Sequence, residues 1–226
     1  MKKIFFRFLF VALAVLSVCT ASAFSDELKA VRLLKPQVDR GRPLMQALKD
    51  RSSSRSFSSE KLPLQMLSNL LWAAFGVNRP ETGKRTAPSA MNRQEIDIYA
   101  ATADGLYLYD AKDHVLRPVL GEDIRAITGS QGYVKEAALN LIYVADFSRM
   151  GEETKEEKEF YSAADTGFIS ENVYLFCASE DLATVVRGSI DKKTLAKAMN
   201  LRLAQQIILA QSVGYPKRIA MGKGIR

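Results

Sequence analysis

Between residues 63 and 110 the hydrophobic period of the chain changes from that of a helix to that of a strand, a switch that neither an all-helical nor an all-strand fold accommodates. Pro63 opens a stretch in which Met66, Leu67, Leu70, Leu71 and Ala74 form one broad apolar stripe, closed by Gly76. Residues three and four apart share a helix face, so the spacing predicts a helix that starts at a proline and stops at a glycine. From Glu95 the period is two: Ile96, Ile98 and Ala100 alternate with Asp97 and Tyr99. Asp104-Gly105 supplies a turn and Leu106-Tyr107-Leu108-Tyr109 resumes the alternation, so residues 95–110 read as a β-hairpin.

The rest of the chain repeats this mixture. Residues 24–43 read as an N-terminal arm, extended at Leu33-Leu34-Lys35-Pro36 because the residue before a proline avoids the helical region. A helix follows from Pro43, with Leu44, Ala47 and Leu48 on the face expected to be buried. Glu122 to Thr128 suggests a short helix, and 139–145 is an apolar run of strand length expected to be covered on both faces. The longest helical tract is 151–178, with a break or bend expected near Ala163-Ala164-Asp165. Its acidic first part suits a solvated face, whereas Phe168, Ile169, Val173, Leu175, Phe176 and Cys177 suit a core or a subunit interface. Thr184-Val185-Val186 reads as a strand, Asp191 as the cap of a helix reaching Met199, and 206–213 as a last strand. The order implies an α+β fold in which helices surround a central mixed β-sheet, with residues 44–226 as one domain. At its helical spacing Trp72 is assigned to core or interface packing in preference to a substrate-facing role.

Residues 1–23 carry the marks of a removable secretory signal: Lys2 and Lys3, an apolar run from Ile4 to Val18, and Ala21-Ser22-Ala23 as the cleavage site. The implied location is exported and periplasmic. Lipid anchoring through Cys19 ranks second, because Val18 is large for the position before a lipid-modified cysteine. The run is shorter than the roughly 20 residues that span a bilayer. Loss of Lys2, Lys3 and Arg7 lowers the formal charge from +7 to +4, with basic residues scattered instead of striped, so nucleic acid is not an expected partner. Cys177 is then the only cysteine, and an intrachain disulfide is excluded. His114, the only histidine, follows the hairpin without a cysteine or second histidine to join it, so a surface role is expected and no metal site.

The densest polar motif is Arg51-Ser52-Ser53-Ser54-Arg55-Ser56-Phe57. Guanidinium forks match phosphate oxygens in paired hydrogen bonds, and hydroxyls and backbone N–H groups fill the remaining acceptor positions. The same composition also makes an ordinary solvated loop. A second motif, Ala87-Pro88-Ser89-Ala90-Met91-Asn92-Arg93-Gln94, leads straight into the Ile96 strand. Gln131, Arg187-Gly188-Ser189 before a helix, and Gly214-Tyr215-Pro216 follow in that order.

With these segments in this sequence, the chain resembles the nitroreductase superfamily over roughly residues 44–216. Leu71-Trp72-Ala73-Ala74-Phe75-Gly76-Val77-Asn78-Arg79 is similar to a segment of its SagB-type dehydrogenase branch. The resemblance implies a nitroreductase-like FMN-binding fold, a homodimer and two FMN molecules at the subunit interface. On matching positions, Arg51, Ser53 and Arg55, with Ser52 where a second basic residue is common, would meet the flavin's phosphate, ribityl chain or pyrimidine edge. Pro88, Ser89, Ala90 and Asn92 match a segment that reaches the flavin of the other subunit, with Met91 where the branch often has glycine. Gln131 matches an amide that reads the pyrimidine, and Gly188 and Ser189 match a loop whose backbone N–H approaches flavin N5. A C-terminal basic residue for the phosphate is open among Lys217, Arg218 and Lys223.

The expected function is an exported FMN-dependent oxidoreductase that moves two electrons to or from a small organic substrate by a ping-pong route. No Ser/His/Asp set, metal cluster or glycine-rich nucleotide loop competes with that reading. Free NAD(P)H is not expected outside the cytoplasm, so a quinol, a protein or the substrate itself is the candidate electron donor. A non-catalytic flavin-binding structural dimer is the alternative, and a loop that binds some other phosphate ranks below both.

Overall fold

A computed structural model describes residues 28–217; the signal segment, Cys19, Arg218 and Lys223 lie outside them. The elements are β1 (Val31–Arg32), α1 (Leu44–Asp50), α2 (Leu64–Phe75), β2 (Val77–Arg79), β3 (Lys84–Arg85), β4 (Ile96–Thr102), β5 (Gly105–Asp110), β6 (Val115–Leu120), β7 (Leu139–Asp146), α3 (Lys155–Ser179), β8 (Ala183–Arg187), α4 (Lys192–Ala198) and β9 (Gln205–Gly214). Seven strands form one sheet in the order β1-β6-β5-β4-β7-β9-β8, and β2 and β3 make a small separate ribbon. The α+β class, with helices around one central sheet, is therefore what the chain adopts. Within that sheet every pairing is antiparallel, where a mixed sheet was expected.

The predicted hairpin is β4 and β5, with Thr102 opposite Gly105. Glycine is needed at the corner because φ is +141° and a Cβ would stand 2.5 Å from the Leu120 carbonyl oxygen. Neither face of β4 is solvated. Ile96, Ile98 and Ala100 pack toward Leu70, Leu71, Ala74, Ile169 and Val173 of α2 and α3. Tyr99 and Ala101 face a second core with Leu195 and Met199 around α4. The adjacent β7 is buried at all eight positions, as the apolar run required. The sheet is thus the middle of three layers.

Four expectations change. Of the face predicted for α1 only Ala47 is buried; Leu44 and Leu48 are 61% and 46% exposed, because the helix meets α3 through its small residue. The helix expected at 122–128 is one 3-10 turn, Arg125–Ile127. α3 runs unbroken through 163–165, starting from a capping box in which Thr154 and Glu157 exchange side-chain and backbone hydrogen bonds. Phe168, expected in a core or a subunit interface, is half exposed. His114 belongs not to a surface loop but to the turn before a strand, β6, that the proline at 118 concealed. Its half-buried ring joins Tyr109 Oη through Nδ1 at 3.0 Å, and Leu34 O at 3.0 Å and Ser68 Oγ at 2.8 Å through Nε2. The arm is fixed by that ring, by β1 pairing with β6, and by Asn69 Oδ1 accepting from Gln37 N at 3.0 Å. Trp72 is half-buried in the last turn of α2: its indole N–H donates to Val77 O at 3.0 Å, and a Cβ at Gly76 would meet the indole ring at 2.5 Å.

Candidate functional site

The end of α1 feeds directly into the Arg/Ser segment, and Tyr174 of α3 holds that segment in place. Tyr174 is 7% exposed. Its oxygen accepts from Val186 N of β8 at 2.9 Å and lies 2.9 Å from Ser53 Oγ. The Arg51 guanidinium sits 5.5 Å from the centre of the same ring, within cation–π range. Ser54 N donates to Thr184 O at 2.9 Å, so the segment lies against β8. Arg51, Ser52, Ser53 and Arg55 are exposed, and Phe57 then turns inward to bridge Pro216.

Where β8 ends, the chain brings Gly188, Ser189 and Gln131 together. Ser189 Oγ and Ser130 Oγ are 2.8 Å apart, and Ser130 N donates to Ser189 O at 3.3 Å. Beneath them lies Arg187, 6% exposed. Its guanidinium donates to Thr128 O, to Thr128 Oγ1 at 3.0 Å, to Asn140 Oδ1 at 2.7 Å and to Ser212 Oγ at 3.3 Å. All of these acceptors are neutral, and burial lowers the Arg187 pKa to about 10. Gln131 Oε1 is buried without a hydrogen-bond partner among the described residues. A Cβ at Gly129 would stand 2.6 Å from Arg187 Nη1 and 2.8 Å from Gln131 Oε1, so glycine is what lets the amide and the guanidinium approach each other there.

Pro88, Ser89, Ala90 and Asn92 are held elsewhere. Ala90 N donates to Asp165 Oδ2 of α3 at 2.9 Å, and Gln94 N donates to Ser89 Oγ at 3.0 Å. Met91, Asn92 and Gln94 have φ of 50°, 55° and 50°, in the left-handed region that L-residues visit at a cost. Arg149 Nη1 donates to Gln94 O at 2.7 Å, and Arg93 pairs with Glu153. Asp165 lies nine residues before Tyr174 on one unbroken helix, a separation of about 13 Å along its axis. The structure therefore gathers Arg51, Ser53, Gln131, Gly188 and Ser189 around the end of β8 and sets the 88–92 segment apart from them on the same chain. Tyr174 was not singled out in the sequence, and Arg187 was quoted only as part of the Arg187-Gly188-Ser189 motif, without a role of its own. A buried tyrosine on a helix carries no local mark, and the structure extends the strand read at 184–186 to include Arg187.

Known proteins resemble this chain in sequence and fold. The profile described as "Nitroreductase family" matches residues 48–215. A candidate nitroreductase of Ralstonia eutropha, solved as a crystal structure, is 42% identical with a TM-score of 0.82, over 85% of this chain and 91% of its own. A candidate nitroreductase of Methanocaldococcus jannaschii is 28% identical over 162 residues, 67% of this chain and 81% of that protein. A third, from Desulfovibrio desulfuricans and solved in complex with FMN, shares the fold at 21% identity and a TM-score of 0.58, over 78% of this chain and 88% of its own. The chain belongs to the nitroreductase family of oxidoreductases.

The residues present fit a flavin mononucleotide. Exposed Arg51 and Arg55 with the Ser53 hydroxyl offer donors suited to a phosphate or a polar chain. The unsatisfied Gln131 carbonyl wants an N–H donor, which a pyrimidine ring edge carries. Among the described residues, no three His, Cys, Asp or Glu side chains group closely enough to hold a metal ion.

Proposed function

We propose that this protein is an exported, FMN-dependent oxidoreductase of the SagB-type branch that works as a homodimer on a small organic substrate. The observation that carries the flavin reading is the buried, unpartnered Gln131 oxygen beside the Arg187 guanidinium, whose protein acceptors are all neutral. Bound between this pair and the Arg/Ser segment, FMN would supply the two-electron chemistry, by a ping-pong route in which donor and acceptor visit one site in turn. The chain's own residues would bind and orient it: Arg51, Ser53 and Arg55 at its anionic parts, Gln131 at the pyrimidine edge. Arg187 would keep a fixed positive charge behind them, which favours the electron-rich form.

Two features support a shared site. The 88–92 segment is anchored about 13 Å along α3 from the Arg/Ser segment, so a second chain is the natural source of the missing wall. Leu44 and Met45 of α1 and Phe160 and Phe168 of α3 are all at least half exposed, as suits residues that a partner covers. Export rests on residues 1–23, and a quinol, a protein or the substrate would serve as donor.

The mature protein should purify yellow and release FMN on denaturation; a colourless protein that takes up no added FMN sinks the reading. Arg55→Ala should weaken FMN binding by about 1.5–3 kcal/mol, the scale of a hydrogen bond to a charged group. Reduction of a dye with an artificial donor separates an enzyme from a non-catalytic flavin-binding dimer.

A further inference from the structure

Glu95 is the least comfortable side chain of the described residues. It is fully buried directly before β4 and directly after the left-handed stretch, and neither carboxyl oxygen has a hydrogen-bond donor. A lone buried carboxylate in such a place is costly. Its neighbour is Asp165 of α3, 2% exposed, which takes the Ala90 N–H at 2.9 Å. Gln94 N donates to Ser89 Oγ at 3.0 Å and closes the base of the loop, so buried Glu95, next to Gln94, and buried Asp165, bound to Ala90 N, flank the same loop base. Two ionised carboxylates carry acceptors only, so a hydrogen bond between them would need a proton.

The surrounding charges do not remove the need for this proton. Arg149, in the turn after β7, is committed to Gln94 O and to Asp97, with Asp146 also beside it. Arg93, in the loop itself, pairs with Glu153, which precedes α3. Burial foremost, and then the Asp165 carboxyl, push Glu95 up to about 7, with Arg149 opposing.

We propose that Glu95 and Asp165 share one proton and act as a positioning pair that holds the 88–94 loop in its strained form. Protonated Glu95 donates to Asp165, Asp165 accepts from Ala90 N, and Met91 and Asn92 are thereby held at the exposed tip. The claim concerns this chain's own backbone and stands or falls independently of flavin binding. Its consequence is a loop that loosens as Glu95 loses its proton and two buried like charges are left side by side. The folded pKa is raised, so the stabilisation is complete below the unfolded value of about 4.5 and is lost as pH rises through about 7.

Hydrogen exchange of the mature protein, followed by mass spectrometry and corrected for the intrinsic rate, tests this on a peptide covering 88–94 with a β7 peptide as control. Between about pH 6 and about pH 8.5 the loop peptide of the wild type should lose protection up to about tenfold while the β7 peptide does not change. Glu95→Gln, which keeps a donor toward Asp165 at every pH, should hold the loop protected across the range. Asp165→Asn, whose amide can serve both neighbours, should do the same. Infrared spectra should show a protonated-carboxyl stretch in the wild type at about pH 6 that is absent from Glu95→Gln. A loop peptide whose protection does not vary with pH in the wild type, or varies equally in Glu95→Gln, overturns the proposal. So does the absence of the protonated-carboxyl band.

Discussion

Tyr174→Phe removes one oxygen from the junction of α3, β8 and the Arg/Ser segment and leaves the buried ring volume unchanged. That oxygen serves two partners, Val186 N and Ser53 Oγ, each at 2.9 Å. Deleting it strands the Val186 N–H in a half-buried position, at a cost of about 1–2 kcal/mol, toward the lower end for an unsatisfied donor. Ser53 is exposed and recovers most of its loss from water, so its share is about 0.5 kcal/mol. The expected loss of stability is therefore about 1.5–2.5 kcal/mol, or several degrees in Tm for a domain of this size. Arg51 keeps its ring platform, so FMN affinity should fall only through the freed serine, about fivefold or 1 kcal/mol. Urea unfolding with and without FMN, together with FMN titration of the apoprotein, measures both quantities. A double-mutant cycle sharpens the attribution: Ser53→Ala should add nothing further to FMN affinity once the Tyr174 hydroxyl is gone. Loss of stability below about 0.5 kcal/mol would refute the bond to Val186. Full loss of stability with unchanged FMN affinity would refute the role of the Arg/Ser segment in holding the cofactor.

Two further outcomes are expected. If Arg55→Ala and Asn92→Ala each abolish dye reduction as homodimers, mixed dimers carrying one change per chain should recover about half the wild-type activity, since one pocket then collects both defects; purified mixed dimers as inactive as their parents would rule out a shared pocket. Burial lowers the pKa of His114 below its usual value, with its bond to Leu34 O opposing. The neutral ring stabilises the fold, fully above about pH 6.5, and this contribution is lost as pH falls toward the lower folded value. Thermal melts of His114→Gln should therefore fall less steeply with acidification than those of the wild type; parallel curves would show that the ring does not titrate in the fold.

Features encoded by neighbouring residues were legible in the chain itself. The alternation at 96–100 and the glycine at 105 specified the hairpin, Pro63 and Gly76 bounded α2, Asp191 capped α4, and the apolar run at 139–145 could only be a strand with both faces covered. These signals are local because the hydrogen bonds and steric limits behind them act within a few residues. The Arg/Ser segment and the 88–94 loop were visible as compositions, and their order supplied the resemblance.

What tertiary structure decided are the meetings between distant residues. Tyr174 lies 121 positions from Ser53, and Arg187 lies 59 from Thr128. No periodicity encodes such pairs, because they depend on β9 lying between β7 and β8 and on α3 crossing behind that side of the sheet. The exposed face of α1 follows the same logic: a 3,4 pattern marks a helix as two-faced, but the closeness that Ala47 permits with α3 selects the face that is buried. Glu95 shows the limit most clearly. Read along the chain it is a charged residue entering a strand; only the packing of α3 over β4 puts a second carboxyl beside it, and the cost of burying two like charges together calls for a shared proton.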